Sequence, residues 1–382
     1  RQEELLAIDI RPGAIYVSQL KQEQNAKKWF VEHLYVRNVV SEGVEYDQDH
    51  IKNNIQLYAS NLRQVVESKG IETANVAISL PVASSIIKMV TAPSMSDEEL
   101  ENAIQYESLW ENLVQFAGSM DDYSIYWRVV KRHQKSNTMD LLFIASKLSE
   151  INIFAEVIRV AGLQAVLMDV RCFPLVDALA FHFGDEAFTA QHKGIVELGT
   201  GENYLMIAEG ESIYVSDIFL PESGRQALTQ TEFDEEAVRL SMTRYAAQLR
   251  QALMLYQNRP DSEPIEELLF VSSLPLANEF VHALSQVLKD VKVSMFSPLE
   301  GVLLPDQHKH FAEDNANLSY LAPVLALSKR KLDVFGYYQY TASTQNINLL
   351  PDRENVVRSR KMKVALTWSV VAVVLLGGFY IG

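Results

Sequence analysis

The chain has 382 residues, a formal net charge of −15 and one cysteine. This length exceeds one small domain and favours two or more compact units, each able to bury its own core. The acidic balance argues against nucleic-acid binding, because a phosphate-binding face needs clustered Lys and Arg, and none is visible across the first 320 residues. Cys172 stands alone, so there is no intramolecular disulfide framework, and its strand-like setting predicts a buried structural thiol.

The first part of the chain alternates between strand-like and helical patterns. Apolar alternation predicts three strands within residues 5–36, with a tight turn at Arg11-Pro12-Gly13. A helical stretch follows from about residue 48 to residue 68, and a short apolar strand lies at 75–81. The predicted order is therefore strand, strand, strand, helix, strand.

The same order returns from Gly194 onward, with three strands, a helix at 235–257 and a strand at 266–273. Each copy ends its first strand with a carboxylate, an apolar residue and a turn: Asp9-Ile10-Arg11-Pro12-Gly13 and Glu197-Leu198-Gly199-Thr200-Gly201. This internal symmetry predicts two facing lobes on one βββαβα plan. In the cleft between them, two hairpin turns could hold a phosphate chain through backbone N–H groups.

An additional α+β subdomain is predicted within the first half, at about residues 82–163. Ser96-Asp97-Glu98-Glu99 has the capping-box pattern of a helix start. The apolar spacing that follows predicts a helix running through Leu113 and Val114. The remaining predicted elements are strands at 124–130 and 139–146, a helix at 151–163 and a returning strand at 165–172.

The C-terminal stretch 364–382 contains no charged side chain and matches the length of about 20 residues that spans a bilayer as a helix. It is preceded by five basic residues: Arg353, Arg358, Arg360, Lys361 and Lys363. Flanking positive charge marks the cytoplasmic side, so we expect a single membrane helix with the N-terminal body in the cytoplasm. A buried core helix is the alternative. The N-terminal residues show no signal-peptide pattern, and we expect an extracytoplasmic part beyond Gly382.

The duplicated order with matching acid positions resembles the superfamily of actin, the heat-shock chaperone ATPases and hexokinase. The resemblance implies an α/β fold with duplicated actin-like lobes and a nucleotide cleft between them. The candidate cleft residues lie at three turns: Asp9, Arg11, Gly13, Glu197, Gly199, Gly201, Ser272 and Ser273.

Three departures from the pattern of nucleotide-binding members favour a degenerate cleft. Arg11-Pro12 replaces Gly-Ser in the first turn and brings a side chain where phosphate needs close approach to the backbone. Glu197 replaces Asp in the second turn, and the longer acid crowds the water shell of Mg²⁺. Ser272-Ser273 stand in place of a Gly pair. We expect no enzymatic activity and no cofactor. Binding of ATP with Mg²⁺ is the alternative, since Arg11 can neutralise a phosphate.

Two segments of the chain resemble two type IV pilus proteins. Residues 1–332 resemble PilM, the actin-like protein of pilus assembly, through LLAIDI, SLPVASSIIKMVTAPSMSDEELENAI, LLFIASKLSEINIFAEVIRVAGLQAVLMDV and YLAPVLALS. Residues from Ile347 resemble the start of PilN, where INLLP followed by Arg and Glu precedes a single membrane helix. The resemblance implies an actin-like body (1–332), a linker (333–346), a docking motif with a basic segment (347–363) and a membrane helix (364–382).

The resemblance to PilN also implies a role for the pentapeptide Ile347-Asn348-Leu349-Leu350-Pro351. It would dock as an extended segment in a groove of the body, with Ile347, Leu349 and Leu350 as apolar anchors. Asn348 would bond groove backbone, and Pro351 would limit the conformational freedom lost on docking. The linker permits docking in cis or onto a neighbouring subunit. A juxtamembrane linker with accidental leucines is the alternative.

The function implied is an inner-membrane scaffold of a type IV pilus machine. Its expected partners are a PilO-like inner-membrane protein, the motor ATPase or platform protein, and further copies of itself, with a ring as one arrangement. A GspL-like platform protein of type II secretion and a nucleotide-switched actin-fold ATPase are the alternatives.

No metal site is predicted from the sequence. The one close histidine pair, His308 and His310, lies near Asp306 in a polar stretch without a recognised ligand spacing. We expect a solvated loop there.

Overall fold

The computed structural model describes residues 5–22, 29–40, 49–104, 113–183, 192–210, 212–230, 232, 234–259, 262–313, 317–330 and 347–351. The strands are β1 (Leu6–Arg11), β2 (Ala14–Gln22), β3 (Trp29–Asn38), β4 (Asn75–Leu80), β5 (Ser85–Pro93), β6 (Tyr123–His133), β7 (Thr138–Lys147), β8 (Gln164–Val170), β9 (Lys193–Leu198), β10 (Asn203–Glu209), β11 (Ser212–Asp217), β12 (Glu267–Val271), β13 (Lys292–Met295) and β14 (Val302–Leu303). The helices are α1 (Asp49–Asn53), α2 (Ile55–Ser68), α3 (Asp97–Ile104), α4 (Leu148–Val160), α5 (Cys172–Phe183), α6 (Glu222–Leu228), α7 (Glu235–Gln257), α8 (Ala277–Val287), α9 (His310–Glu313) and α10 (Ala322–Leu327).

Two sheets of the same plan form the two lobes. The first has the strand order β14-β3-β2-β1-β4-β8 and the second the order β11-β10-β9-β12-β13. In each, the first strand of the copy pairs antiparallel with the next strand and parallel with the strand after the helix, as β1 does with β2 and β4, and β9 with β10 and β12. Apart from the added β14, the two sheets match strand for strand. The predicted duplication is confirmed.

The first sheet is covered by helices with regular apolar faces. Helix α2 buries Tyr58, Ala59, Leu62 and Val65, a spacing that puts them on one side of the helix. They join a hydrophobic cluster that includes residues of both lobes, for example Met206 from β10. The lobes therefore share apolar core beneath the cleft.

The inserted subdomain is a three-stranded sheet of order β5-β7-β6 with helix α3 beside it. Its predicted capping box is confirmed: the Glu99 carboxylate accepts the Ser96 N–H at 2.8 Å, and the Ser96 hydroxyl accepts the Glu99 N–H at 3.3 Å. The predicted helix through Leu113 and Val114 is wrong at that end, since both residues lie in a turn and an irregular stretch.

Two other local predictions are corrected. Cys172 does not end a strand but begins helix α5, where Pro174 is tolerated in the first turn. Its thiol is buried as predicted, and burial raises its pKa well above the usual value. His308 is not solvated: it is 1% exposed, packs edge-on against Tyr35 and has Nε2 3.3 Å from the Glu32 carbonyl oxygen.

Some expectations fall outside the described residues. No helix in the described part of the chain is long and apolar enough to cross a bilayer. The predicted membrane helix at 364–382, the linker at 333–346 and the basic residues 352–363 lie outside that part. Within it, no group of three His, Cys, Asp or Glu side chains is placed to hold a metal ion.

Candidate functional site

The carboxylate at the end of β1 is enclosed by three donors. Asp9 is fully buried, and its Oδ1 accepts the Ser79 hydroxyl at 2.6 Å and Arg171 Nε at 2.9 Å. Its Oδ2 accepts Arg11 Nε at 3.0 Å. Parallel pairing places Asp9 beside Ser79, which explains the short hydroxyl contact. Both oxygens that would face a magnesium ion or its waters are therefore engaged by protein groups.

Two arginines cross from the first lobe to the second. Arg11 Nη1 donates to Glu197 Oε1 at 2.6 Å. Arg171, directly after β8, donates through Nη1 to Glu202, whose other oxygen accepts the Ala83 N–H at 3.1 Å. These five side chains, Asp9, Arg11, Arg171, Glu197 and Glu202, are called the cleft network below. The cleft network ties the lobes together across the predicted nucleotide site.

Burial and opposite charge act against each other in the cleft network. Burial alone would raise the pKa of the Asp9 carboxyl, but Arg171, Arg11 and the Ser79 hydrogen bond lower it to about 2. Burial raises the pKa of Glu197, and Arg11 only partly opposes that shift. Burial lowers the pKa of Arg11, but Glu197 and Asp9 outweigh it and raise that pKa well above its usual value. Asp9 and both arginines are therefore charged at neutral pH.

One backbone N–H group in each of the two candidate phosphate turns already has an acceptor, at Gly13 and at Gly199. The Gly13 N–H donates to the Tyr58 hydroxyl at 2.7 Å, at a φ of +90° that favours glycine. The Gly199 N–H donates to Asn203 Oδ1 at 3.2 Å, and Asn203 Nδ2 returns a bond to the Gly199 carbonyl at 2.8 Å. A Cβ at Gly199 would lie 3.0 Å from the Glu202 carbonyl oxygen, so the turn is also tightly packed.

The third candidate turn adjoins the cleft network, since Val271 pairs with Glu197, but no hydrogen bond or ion pair described for Ser272 or Ser273 joins them to its five side chains. Ser272 is buried, donating its hydroxyl to the Leu198 carbonyl at 2.6 Å and its N–H to the Ser319 hydroxyl at 2.9 Å. Ser273 and Gly201 are exposed, and Gly201 lines a cavity of about 410 Å³ beside the second turn. The structure thus brings Asp9, Arg11 and Glu197 together but leaves Ser273 and Gly201 outside the cleft network.

The cleft does not fit ATP with Mg²⁺. An arginine side chain lies between the two carboxylates, and the phosphate-turn N–H groups of Gly13 and Gly199 are already bonded. Sequence reasoning missed Arg171 and Glu202. The available signal was Arg171 within the apolar run LMDVRCFPL, since a buried arginine requires a carboxylate partner.

The predicted docking motif lies against the first lobe. Ile347 and Leu349 are fully buried and Leu350 is 8% exposed, and all three belong to the same hydrophobic cluster as Met168 and Ile158. Pro351 is exposed in a turn. The apolar side chains that lack local partners in the sequence thus find them on the body.

Asn348 bonds the free edge of strand β8. Its Oδ1 accepts the Met168 N–H at 3.0 Å, and its Nδ2 donates to the Val166 carbonyl at 3.1 Å. The Leu349 N–H donates to the Met168 carbonyl at 2.8 Å. Since β8 ends the sheet order, its edge groups would otherwise lack strand partners. The segment therefore buries its apolar side chains beside β8 and also forms hydrogen bonds with the open edge of that strand.

A second contact ties the region just before the linker to the same strand. Arg330 is fully buried, and its Nη2 donates to Asp169 Oδ2 at 2.8 Å while Nη1 lies 3.1 Å from Asp177 Oδ2. Asp169 belongs to β8. The chain is thus fixed to β8 on both sides of residues 331–346.

The family described as type IV pilus assembly protein PilM has a model that matches residues 7–235, more than half of the chain. The chain belongs to the PilM family. No curated protein matches this PilM-family chain.

Solved structures similar to this PilM-family chain include one described as the PilM-PilN type IV pilus biogenesis complex. It has a TM-score of 0.66 and 15% identity, over 86% of this chain and 98% of that one. The cytoplasmic domain of EpsL from Vibrio cholerae gives 0.39 and 14%, over 78% and 98%. The ethanolamine utilization protein EutJ from Carboxydothermus hydrogenoformans gives 0.41 and 12%, over 85% and 90%. At such identities the first match supports the fold alone, which is the mixed α/β actin-like fold.

Proposed function

We propose that this PilM-family chain is a scaffold of type IV pilus assembly in which the actin-like body and a PilN-like segment are parts of one polypeptide. The observation that carries the proposal is the seating of Ile347–Leu350 on the edge of β8. Three buried apolar side chains and three hydrogen bonds hold it there. The solved structure described as a PilM-PilN complex has the same fold, which supports the interpretation of residues 347–351 as a PilN-like segment.

Fusion makes docking in cis effective. The linker of residues 333–346 keeps the motif near its groove at a high effective concentration, so contacts that are modest for a free peptide suffice for a tethered one. We propose that the motif occupies its own groove for most of the time. A neighbouring subunit's groove competes only when subunits are packed side by side.

We propose that residues 364–382 form a single helix through the inner membrane, with the body on the cytoplasmic side and the C-terminus toward the periplasm. The uncharged stretch and the basic residues before it support this topology. In this arrangement the protein links cytoplasmic motor or platform proteins to a PilO-like periplasmic partner. Self-association, with a ring as one arrangement, belongs to the same proposal.

The cleft has a structural role in this proposal. With Arg11 and Arg171 paired across the lobes, it is filled by the protein's own charges, which supports a non-enzymatic scaffold. The test is calorimetric titration of the full chain in detergent with ATP and Mg²⁺. We expect no binding heat and no rise in melting temperature. Saturation at 100 times Kd would add about 2.7 kcal/mol of stability, so a rise would favour a nucleotide switch.

The pilus role is tested by gene replacement in the source organism. Deletion is expected to remove surface pili, and Leu349→Asp is expected to reproduce that loss at a normal protein level, because a charge cannot enter the groove. Leu57→Asp is the matched control, since Leu57 is 39% exposed on α2, and it should keep pili. Normal pili after deletion would contradict the proposal. Lost protein secretion with intact pili would favour the type II secretion counterpart.

A further inference from the structure

Residues 302–311 lie where the chain returns from the second lobe to the edge of the first sheet, and we call them the return segment. β13 belongs to the second sheet, whereas β14, which begins the return segment, pairs in parallel with Trp29 and Phe30 of β3. This strand pairing is only two residues long. Other contacts must therefore hold the rest of the return segment on β3.

His308 is the anchor of the return segment. It is 1% exposed, whereas every other residue of 302–311 is half-buried or exposed. Its ring packs edge-on against Tyr35 of β3, with the two ring centroids 5.5 Å apart, and the Phe311 ring centroid is 6.4 Å away. Leu304 and Phe311 are only partly buried against the first-lobe core. The one fully buried side chain of the return segment is thus a titratable ring.

The surroundings of the His308 ring fit its neutral form. Nε2 lies 3.3 Å from the Glu32 carbonyl oxygen, which also accepts the Gln307 side-chain amide at 3.2 Å. Since a carbonyl only accepts, this bond uses a proton on Nε2. The Gln307 amide nitrogen, 3.3 Å from Nε2, offers no acceptor. Nδ1 is buried without a hydrogen-bond partner among the described residues, so a second ring proton would be a buried, unsatisfied donor.

Titratable cations lie near the His308 ring on several elements. Lys69, just after α2, has its Nζ 5.1 Å from the centroid of the Tyr35 ring that packs on His308. His33 on β3 and His310 in the return segment are the other two such groups. Burial is the largest cause that lowers the pKa of His308 from 6.5, the bonded carbonyl raises it, and these three groups lower it again.

The acidic side chains described beside the return segment already have cationic partners. Glu32 on β3 forms an ion pair with Lys21 of β2. Asp306 is exposed and forms an ion pair with Lys309 at 2.6 Å. No carboxylate in the described part of the chain forms an ion pair with His308, so no such contact compensates for a charge on its ring.

We propose that the return segment is an acid-sensitive cover of the β3 edge, closed while His308 is neutral and released when its ring is protonated. Once released, the charged ring donates to water through both nitrogens and moves away from Lys69. Release exposes the outer edge of β3, and an uncovered strand edge is a surface on which another strand can pair. β3 and β8 lie toward opposite ends of the first sheet, so this proposal is independent of the docking of Ile347–Leu350.

The direction of the pH effect follows from proton uptake. The released form binds a proton with the ordinary histidine pKa of 6.5, whereas the closed form resists protonation. The cover is therefore fully stable above pH 6.5 and is destabilised as the pH falls through that value. At one pH unit below 6.5, uptake of one proton can favour the released form by up to about tenfold.

The test is hydrogen exchange of the full chain in detergent at pH 7.5 and pH 5.5, corrected for the intrinsic pH dependence of exchange. Protection of residues 302–311 is expected to fall by about threefold or more at pH 5.5, while that of β4 stays unchanged. His308→Gln can still donate to the Glu32 carbonyl but takes up no proton, so its protection should not change with pH. His282→Gln, exposed on α8, is the matched control and should respond as the wild type.

A second measurement uses the wild type and does not depend on the stability of the His308→Gln variant. The pH titration of the His308 ring signal by NMR should give a pKa below 6.5, and a value at or above 6.5 would overturn the proposal. Equal protection of 302–311 at both pH values, or an equal fall in His308→Gln, would also overturn it. A parallel fall in β4 would show general loosening instead of release. If His308→Gln is already unprotected at pH 7.5, the ring titration decides.

Discussion

The cleft between the lobes and the groove beside β8 are both filled by the chain itself, but with opposite kinds of contact. The cleft network consists of charged side chains at or just beyond strand ends of the two sheets, such as Arg171 paired with Asp9 and Glu202. The groove holds the apolar side chains of Ile347, Leu349 and Leu350.

This difference determines whether the residues that fill each site can dissociate from it without unfolding the protein. Arg11 and Arg171 belong to the folded lobes, so opening the cleft separates buried charges and strains the whole body. We expect Ile347–Leu350 to leave its groove while the lobes stay folded, at the cost of exposing apolar side chains and one strand edge. We therefore expect the cleft to stabilise the body and the groove to be an exchangeable contact.

The largest effect is expected from Arg171→Met. It leaves Asp9 and Glu202 buried without their shared cation, which should lower the free energy of unfolding by about 3–5 kcal/mol. Urea unfolding of the full chain in detergent measures it. Arg159→Met is the matched control, because its ion pair with Glu156 is exposed and should matter little. Equal effects of the two substitutions would contradict a stabilising cleft network.

Leu349→Ala should weaken docking without unfolding the body. Leu349 is fully buried, and truncating such a side chain costs about 2–5 kcal/mol. Hydrogen exchange at the Met168 amide, which donates to Asn348, reports docking directly. We expect faster exchange at Met168 and unchanged exchange at the core amide of Ile78. Simultaneous acceleration at both would show that the groove and the body are not separable.

The free energy of unfolding that the cleft network contributes depends on pH. The folded pKa of Asp9, about 2, lies below its ordinary value of 3.8, so its stabilisation is present above about pH 4. It is lost as the pH falls through 2, and its size is about 2 kcal/mol. Glu197 has a raised pKa and acts in the opposite sense, so the wild type must be compared with Asp9→Asn. Unfolding measured from pH 7 to 2 should show the difference shrinking only below about pH 4.

Asn348→Ala should give the smallest of these effects. It removes the acceptor for the Met168 N–H and the donor to the Val166 carbonyl, but water can reach part of an open strand edge. Docking should weaken by about 1–2 kcal/mol. The readout is hydrogen exchange at the Leu349 amide, which donates to the Met168 carbonyl, measured in Asn348→Ala and, as the reference, in Leu349→Ala. A loss larger than that of Leu349→Ala would mean that polar rather than apolar contacts dominate the groove.

Much of the fold follows from periodicity and duplication. Alternating apolar residues located β1 to β3 and β9 to β11, and the repeated carboxylates Asp9 and Glu197 located the facing turns. Local chemistry located the start of α3 through Ser96 and Glu99. These signals depend on neighbours in sequence, which is why they could be predicted.

The missed features depend on contacts that are distant in sequence. Arg171 follows β8 and meets Glu202 of the other lobe, and no local pattern pairs them. His308 looks polar in sequence, but packing against Tyr35 of β3 buries it.

The chain is attached to β8 at two places, at Arg330 and at Ile347–Leu350, which lie on either side of residues 331–346. A pull on the chain beyond Pro351 reaches Leu350 first and Ile347 last, before any tension reaches Arg330 and Asp169. If Ile347–Leu350 leaves its groove, residues 331–350 can extend to about 70 Å at most, while Arg330 stays bonded to its strand. A pulling force would then release the segment before it reaches the body, which would protect the body from mechanical unfolding.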